Sequence, residues 1–264
     1  MNLGLQGKIA VVSGSTAGIG LAIAAALAAE SARVIINGRT EERVTAALEN
    51  IWQRVPNADL RGVAADLGTS AGVDAFLQRA PDADVLINNL GIFDIKPFLE
   101  IPDAEWLRFF EVNVLSGVRL TRKYLPGMLK KNWGRIIFIS SESAQNIPTE
   151  MVHYGMTKTA QVAISRGLAQ SVTGTGVTVN SILVGPTESE GAGRFLDNMA
   201  KQQNISKAEV ERMFFEKARP GSLLKRFETP EEVAAVVAFV ASTQALVING
   251  AAVRAEGGVI QSVF

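Results

Sequence analysis

The 264-residue sequence predicts an α/β fold built on a doubly wound parallel sheet, and three observations predict it. Apolar runs rich in β-branched residues recur at 9–12, 34–36, 60–64, 85–87, 135–139 and 177–182. Their apolarity is continuous rather than alternating, as expected of strands covered on both faces. Segments of helical length and composition separate them at 22–30, 41–55, 106–131 and 157–173, and strand alternating with helix is the pattern of a parallel sheet with right-handed crossovers. Gly14, Asn88, Ser141 and the region of Gly185 each follow a strand. That is where ligands sit in open parallel sheets.

Taken in order, the first strand leads into Ser13-Gly14-Ser15-Thr16-Ala17-Gly18-Ile19-Gly20 and then an Ala-rich helix. Glycines let a backbone turn sharply and approach phosphate oxygens, and a helix N-terminus offers unpaired amides and a favourable dipole. The turn therefore predicts a pyrophosphate site at Gly14, Ser15, Thr16, Gly18, Ile19 and Gly20, although tight packing of helix on strand also explains such glycines. The second strand ends Asn37-Gly38-Arg39-Thr40. A cofactor without a 2′-phosphate usually meets a carboxylate here, whereas a guanidinium clamps a phosphate dianion. Arg39 thus favours NADP, with NAD the less favoured cofactor, and Thr40 joins Ser15 and Thr16 as a hydroxyl donor. The alternative is that Arg39 only opens a solvated helix with Glu41 and Glu42. After the third strand, Asp66 and Leu67 are placed at the adenine edge, a position where an aspartate also serves as a helix cap.

Bulk composition narrows the function. With 26 basic and 26 acidic residues the formal charge is zero, so neither nucleic acid nor an anionic membrane is an expected partner. No cysteine is present and only one histidine, which removes thiolate catalysis, cysteine-ligated metal and multi-histidine metal sites. There is no signal-like start and no apolar segment near the ~20 residues that span a bilayer. A cytoplasmic enzyme acting on a small molecule is the expectation. No repeat or linker divides residues 1–264, read as one domain. Residues 188–228 are polar, charged and weakly periodic, and are read as a substrate loop or lid with one or two helices, ahead of a helix start at Pro230-Glu231-Glu232.

The active-site reading rests on Tyr154 and Lys158. On a helix, residues i and i+4 share a face, so phenol and ammonium point into one pocket. A nearby cation is expected to lower the phenol from its free pKa of ~10 so that it exchanges protons near neutrality. Ser141 ends a strand upstream, with Ser140 and Ser143 as competitors, and Asn113 lies inside an apolar helical segment. His153, next to Tyr154, points about 100° away around the helix and is read as an interface or loop-facing residue.

With the glycine turn, Asn88-Asn89-Leu90-Gly91, Asn113, Ser141, Tyr154 and Lys158 in order, the chain resembles the short-chain dehydrogenase/reductase family over nearly its whole length. The resemblance implies a single Rossmann-like domain with a seven-stranded sheet in order 3-2-1-4-5-6-7, assembled as a homotetramer or homodimer. It implies Tyr154 as general acid/base and Lys158 as the residue that lowers its pKa and binds the nicotinamide ribose. Ser141 would hydrogen-bond the carbonyl or alkoxide oxygen, and Asn113 would hold a relay water. Asn89, Gly91, Gly185 and Thr187 would complete the cofactor contacts, with Ser189 at a position that often holds threonine. A hydroxyl donor beside a protonated phenol stabilises the charge that hydride arrival builds on a carbonyl oxygen.

The chain departs from the family pattern at Leu90, at Val184-Gly185-Pro186 and at Glu256. Leu90 is expected to narrow the cofactor groove. The resulting expectation is an NADP-dependent oxidoreductase acting on a carbonyl or secondary alcohol. Two alternatives stand beside it. A 3-oxoacyl-carrier-protein reductase would need a basic patch, with candidates at Lys201, Lys207, Arg212, Lys217, Arg219, Lys225 and Arg226, and a non-catalytic NADP-sensing protein would have no use for the tetrad.

Overall fold

The computed structural model describes residues 2–188 and 190–263. Seven parallel strands form one sheet in the order β3-β2-β1-β4-β5-β6-β7. They are β1 (Ile9–Val12), β2 (Arg33–Gly38), β3 (Leu60–Ala64), β4 (Val85–Asn88), β5 (Gly134–Ser141), β6 (Val177–Val184) and β7 (Ala252–Ala255). Nine α-helices accompany them among the described residues: α1 (Gly18–Ala29), α2 (Glu41–Arg54), α3 (Ser70–Arg79), α4 (Asp103–Phe110), α5 (Ser116–Lys131), α6 (Val152–Ser171), α7 (Glu190–Gln203), α8 (Lys207–Lys217) and α9 (Pro230–Ala241).

Successive strand residues point to opposite faces, so each central strand feeds two cores. Ala10, Val12, Val85, Ile87, Ile137 and Ile139 pack with α1, α2 and α9 on one face. Val11, Leu86, Ile136 and Phe138 pack with α3, α5 and α6 on the other. This double coverage is why β1 and β4 read as unbroken apolar runs over 9–12 and 85–87. Helix starts follow side-chain caps: Thr40, Thr69, Ser206 and Thr229 each accept a backbone amide. Thr229 and Glu232 form a reciprocal capping box, with Pro230 at the first helical position.

The structure departs from the sequence reading in three places. The expected helix 106–131 starts earlier and is divided, with α4 and α5 flanking a five-residue π-helical turn, Glu111–Leu115. Asn113 sits in that turn, and its carbonyl accepts from Gln161 Nε2 (2.6 Å). A side chain from another helix thus satisfies a carbonyl of the widened turn, a local device frequent at functional sites. Helix α3 and strand β7 escaped the reading. The first turn of α3 holds Gly72, where a Cβ would lie 1.9 Å from the Asp66 carbonyl oxygen, and β7 is a half-buried edge strand carrying Arg254. Residues 188–228 do contain helices α7 and α8, as expected.

Candidate active site

The glycine turn folds as a cradle. Gly14 and Gly18 have φ of 60° and 53°, a region that side-chain-bearing residues rarely adopt. A Cβ on Gly20 would lie 2.5 Å from both the Gly14 carbonyl oxygen and Asn89 Nδ2. Asn89 braces the turn, its amide donating to the carbonyls of Ser13 (3.0 Å) and Gly14 (2.9 Å). Helix α1 begins after Ala17 with no side-chain cap, so its first-turn amides have no side-chain acceptor at that end. Ile19 packs against the first core at the start of that helix.

Several expected cofactor residues also have roles within the fold. Ser15 is buried, and its hydroxyl donates to the Val12 carbonyl (2.7 Å) while accepting from the Asn37 amide (2.9 Å). Both bonds are internal, so Ser15 ties β1 to β2 and offers no free hydroxyl proton. Thr16 lies over Gly38, where a Cβ would meet Thr16 Cγ2 at 2.4 Å. Thr40 caps α2, its hydroxyl oxygen accepting from the Arg43 amide. Asp66 accepts from the Gly68 amide (3.0 Å), which makes it a turn former at the strand end. The Leu67 side chain is buried in the second core, so any contact it makes at the sheet edge is through its main chain.

Arg39 is exposed and has no ion-pair or hydrogen-bond partner among the described residues. Glu41, the neighbour that would neutralise it in a solvated helix start, pairs instead with Arg79 (3.2 Å). Leu90 leans beside the turn, its Cδ1 3.3 Å from the position of a Cβ on Gly14, and also packs against the second core. Part of its added bulk is therefore absorbed by the core.

The proposed tetrad gathers at the carboxyl ends of β4 and β5. Lys158 is buried, and its Nζ donates to the Ile139 carbonyl (2.9 Å) and stands 5.5 Å from the Tyr154 ring centre. A Cβ on Gly91 would be 3.5 Å from that Nζ. Asn113 clamps Ile92, accepting from its amide (2.8 Å) and donating to its carbonyl (2.9 Å), and also donates to Thr157 Oγ1 (3.0 Å). Of the three competing serines, Ser140 donates to the Lys158 carbonyl (2.9 Å) and Ser143 donates to Glu142. Ser141 alone among them interacts with the Tyr154 hydroxyl.

The acidity of the phenol runs opposite to expectation. Burial pushes Tyr154 up to about 12, with the Ser141 hydrogen bond and Arg219 acting against it. Burial likewise pulls Lys158 down to about 8. The i, i+4 spacing does bring cation and ring together, but Nζ is directed to a backbone carbonyl, and desolvation of both groups outweighs their attraction.

Beyond β6, Gly185 is pressed against Glu228 and Glu256, where a Cβ would lie 2.5 Å from Glu228 Oε1. Thr187 bridges to Glu228, and its hydroxyl donates to the Gly185 carbonyl (3.0 Å). Burial raises the Glu228 carboxyl to about 7. Ser189 lies outside the described residues. His153, expected at an interface or loop, is fully buried against α4, its ring 4.1 Å from Phe109 and 6.1 Å from Trp106.

Three neighbours of the candidate site escaped the sequence reading, and a fourth, Arg219, entered it only as a basic-patch candidate. Thr157 and Gln161 hold Asn113, and their spacing from Tyr154 and Lys158 on one helix face was a usable signal. Glu142 and Arg219, which meet beside Ser141 (2.6 Å), left no such signal.

The short chain dehydrogenase family model matches residues 8–200. The chain is 49% identical over 264 residues to the uncharacterized oxidoreductase YvaG of Bacillus subtilis, covering 100% of both chains. It is 31% identical to the 3-oxoacyl-[acyl-carrier-protein] reductase FabG of Aquifex aeolicus, covering 98% of this chain and 99% of that protein. Among solved structures, L-sorbose reductase from Gluconobacter frateurii, complexed with NADPH and L-sorbose, superposes with a TM-score of 0.94 at 30% identity, covering 100% of both chains. With the seven-stranded order and the glycine cradle already in place, these matches lead to one conclusion: the chain belongs to the short-chain dehydrogenase family of oxidoreductases.

Proposed function

We infer that this protein is an NADP(H)-dependent oxidoreductase that interconverts a carbonyl compound and its secondary alcohol. The observation that carries this reading is the convergence of Tyr154, Ser141 and Lys158 at the strand ends beside the glycine cradle. The cradle's open α1 terminus fits a pyrophosphate, and unpartnered Arg39 fits a 2′-phosphate. NADPH bound to the L-sorbose reductase neighbour supports the same choice. When bound, the cofactor supplies or accepts the hydride.

The residues of this chain supply the proton and the charge stabilisation. With its pKa near 12, Tyr154 carries its proton at neutral pH and is ready to donate it to an oxygen gaining negative charge. That state suits carbonyl reduction. Buried Lys158, at about 8, keeps most of its charge near neutrality and stands beside the phenol as it loses its proton. Asn113, Thr157 and Gln161 fix the backbone around Ile92 and so position the loop in front of Tyr154. Phe93 on that loop packs edge-on against the Tyr154 ring (6.3 Å) and gives the site an apolar flank. The segment 188–228, anchored by Thr187 and Glu228, is assigned as the substrate lid.

The acyl-carrier reading finds less support. Four of its basic candidates are neutralised locally: Lys207 by Asp197, Arg212 by Glu216, Arg219 by Glu142 and Arg226 by Glu232. The test is titration with NADPH and NADH followed by a panel of sugars, ketones and acyl thioesters, alongside Tyr154→Phe. Turnover with NADPH that disappears in Tyr154→Phe while NADPH still binds is the expected result. Binding without turnover across the panel would return the protein to the NADP-sensing class.

A further inference from the structure

The most deeply buried ion pair among the described residues lies beside Ser141 and has no part in the reading above. Glu142 opens the 3-10 turn that follows β5, and Arg219 follows α8. Their side chains are only 3% and 10% exposed, and Arg219 Nε donates to Glu142 Oε1 at 2.6 Å. The other Glu142 oxygen, Oε2, accepts from Ser141 Oγ (3.2 Å) and from Ser143 Oγ. Arg219 is held from its own side: its Nη1 donates to the Ala218 carbonyl (2.9 Å), and its guanidinium lies 5.7 Å from the Phe214 ring. Phe214 in turn stacks on Phe227.

A serine hydroxyl has one proton. Glu142 Oε2 is one acceptor within reach of that proton (3.2 Å), and Ser141 Oγ also accepts from the Ser143 amide (3.1 Å). Glu142 therefore competes with the Tyr154 oxygen for the one proton that Ser141 can donate. The orientation of Ser141 thus depends on a carboxylate whose other oxygen is held by Arg219, just after α8. Taking one member away would leave a buried charge without its partner.

We propose that Glu142 and Arg219 are a pair of positioning residues through which the docked 188–228 segment orients the Ser141 hydroxyl and balances the charge felt by Tyr154. This rests on the functional reading above only for the meaning of Ser141 and Tyr154. Charged groups reach the phenol from three elements: Lys158 on its own helix, Glu142 after β5 and Arg219 after α8. The loop packed on its ring carries Asp94 and Lys96, whose charges act on His153. Glu142 favours the protonated phenol and Arg219 disfavours it, so the two halves of one ion pair push the tyrosine in opposite directions.

That opposition supplies a test independent of turnover. The chain has two tyrosines, Tyr124 and Tyr154, so phenolate absorbance titrated with and without Tyr154→Phe isolates Tyr154. Glu142→Gln should move its titration to lower pH, and Arg219→Gln should move it no lower than wild type. With an active substrate in hand, Arg219→Gln should lower the kcat of reduction by about tenfold or more, the scale of a disturbed hydrogen-bond donor. Kd for NADPH should stay within about twofold, since neither residue touches the cradle, and Arg219→Lys should restore the wild-type pH profile. Thermal melting of each variant confirms that it is folded. Equal displacement of the titration in both variants, or none in either, would overturn the pairing. Loss of NADPH binding in step with loss of folded protein would also overturn it, leaving a purely structural bridge. Wild-type protein inert on every substrate would instead count against the functional reading, with the phenolate titration still deciding this one.

Discussion

Replacing Arg39 with alanine separates the two cofactors. Arg39 stands exposed at the end of β2 with no partner among the described residues, so its removal breaks no ion pair and strips no buried contact. Hydrogen bonds to charged groups contribute about 1.5–3 kcal/mol. At an exposed position solvent and salt screen the pair, so the lower part of that range, about 1.5–2 kcal/mol, is appropriate, equivalent to about 10- to 30-fold in Kd. NADH lacks the 2′-phosphate, so its affinity should stay within about twofold. The assay is fluorescence titration of both dinucleotides into wild type and Arg39→Ala at low and high salt. The NADPH advantage should shrink with salt in wild type and be nearly salt-independent in the variant. An equal loss for both cofactors would refute the clamp and show that Arg39 acts through the start of α2. Unchanged NADPH binding would refute it outright.

Two more predictions follow from the same geometry. Gly20→Ala places a Cβ 2.5 Å from the Gly14 carbonyl oxygen, so it should lower stability by about 1–3 kcal/mol and weaken both dinucleotides alike; wild-type melting and binding in this variant would contradict the cradle. His153 is buried with both ring nitrogens unpartnered among the described residues, and burial holds its pKa below 6.5, with Lys96 and Arg108 acting in the same sense and Asp94 and Glu105 opposing. The unfolded chain takes up a proton below about 6.5 that the fold resists. Stability should therefore be flat above that pH and decline as pH falls below it, with part of the decline removed in His153→Leu. Urea midpoints measured across this range decide the matter, and identical acid limbs in the two proteins would rule His153 out.

Much of this protein was legible in the order of its residues. The six strand expectations fall on β1 to β6 because a strand covered on both faces is predominantly apolar, a demand that leaves a mark in sequence even where polar residues such as Asn180 and Ser181 interrupt it. Gly14 and Gly18 were legible because their backbone is left-handed, and Gly20 because the turn passes closer to it than a side chain allows. Tyr154 and Lys158 were legible because helical geometry alone puts i and i+4 on one face. Only the tertiary structure decided what those groups experience. The phenol rises rather than falls because burial of Tyr154 and Lys158 depends on the layers packed over them, which local spacing does not encode. The Ser15 hydroxyl accepts from the Asn37 amide on β2, which the fold delivers, whereas Thr40 is engaged locally as the cap of α2. Glu142 meets Arg219 across 77 positions of chain, and although Gln161 shares the helix face of Tyr154 and Lys158, only the fold brings it the carbonyl of Asn113 from 48 positions away. Contacts of that kind leave no periodic trace, because their partners are brought together by the closure of the whole sheet and its covering helices rather than by any local preference of the chain.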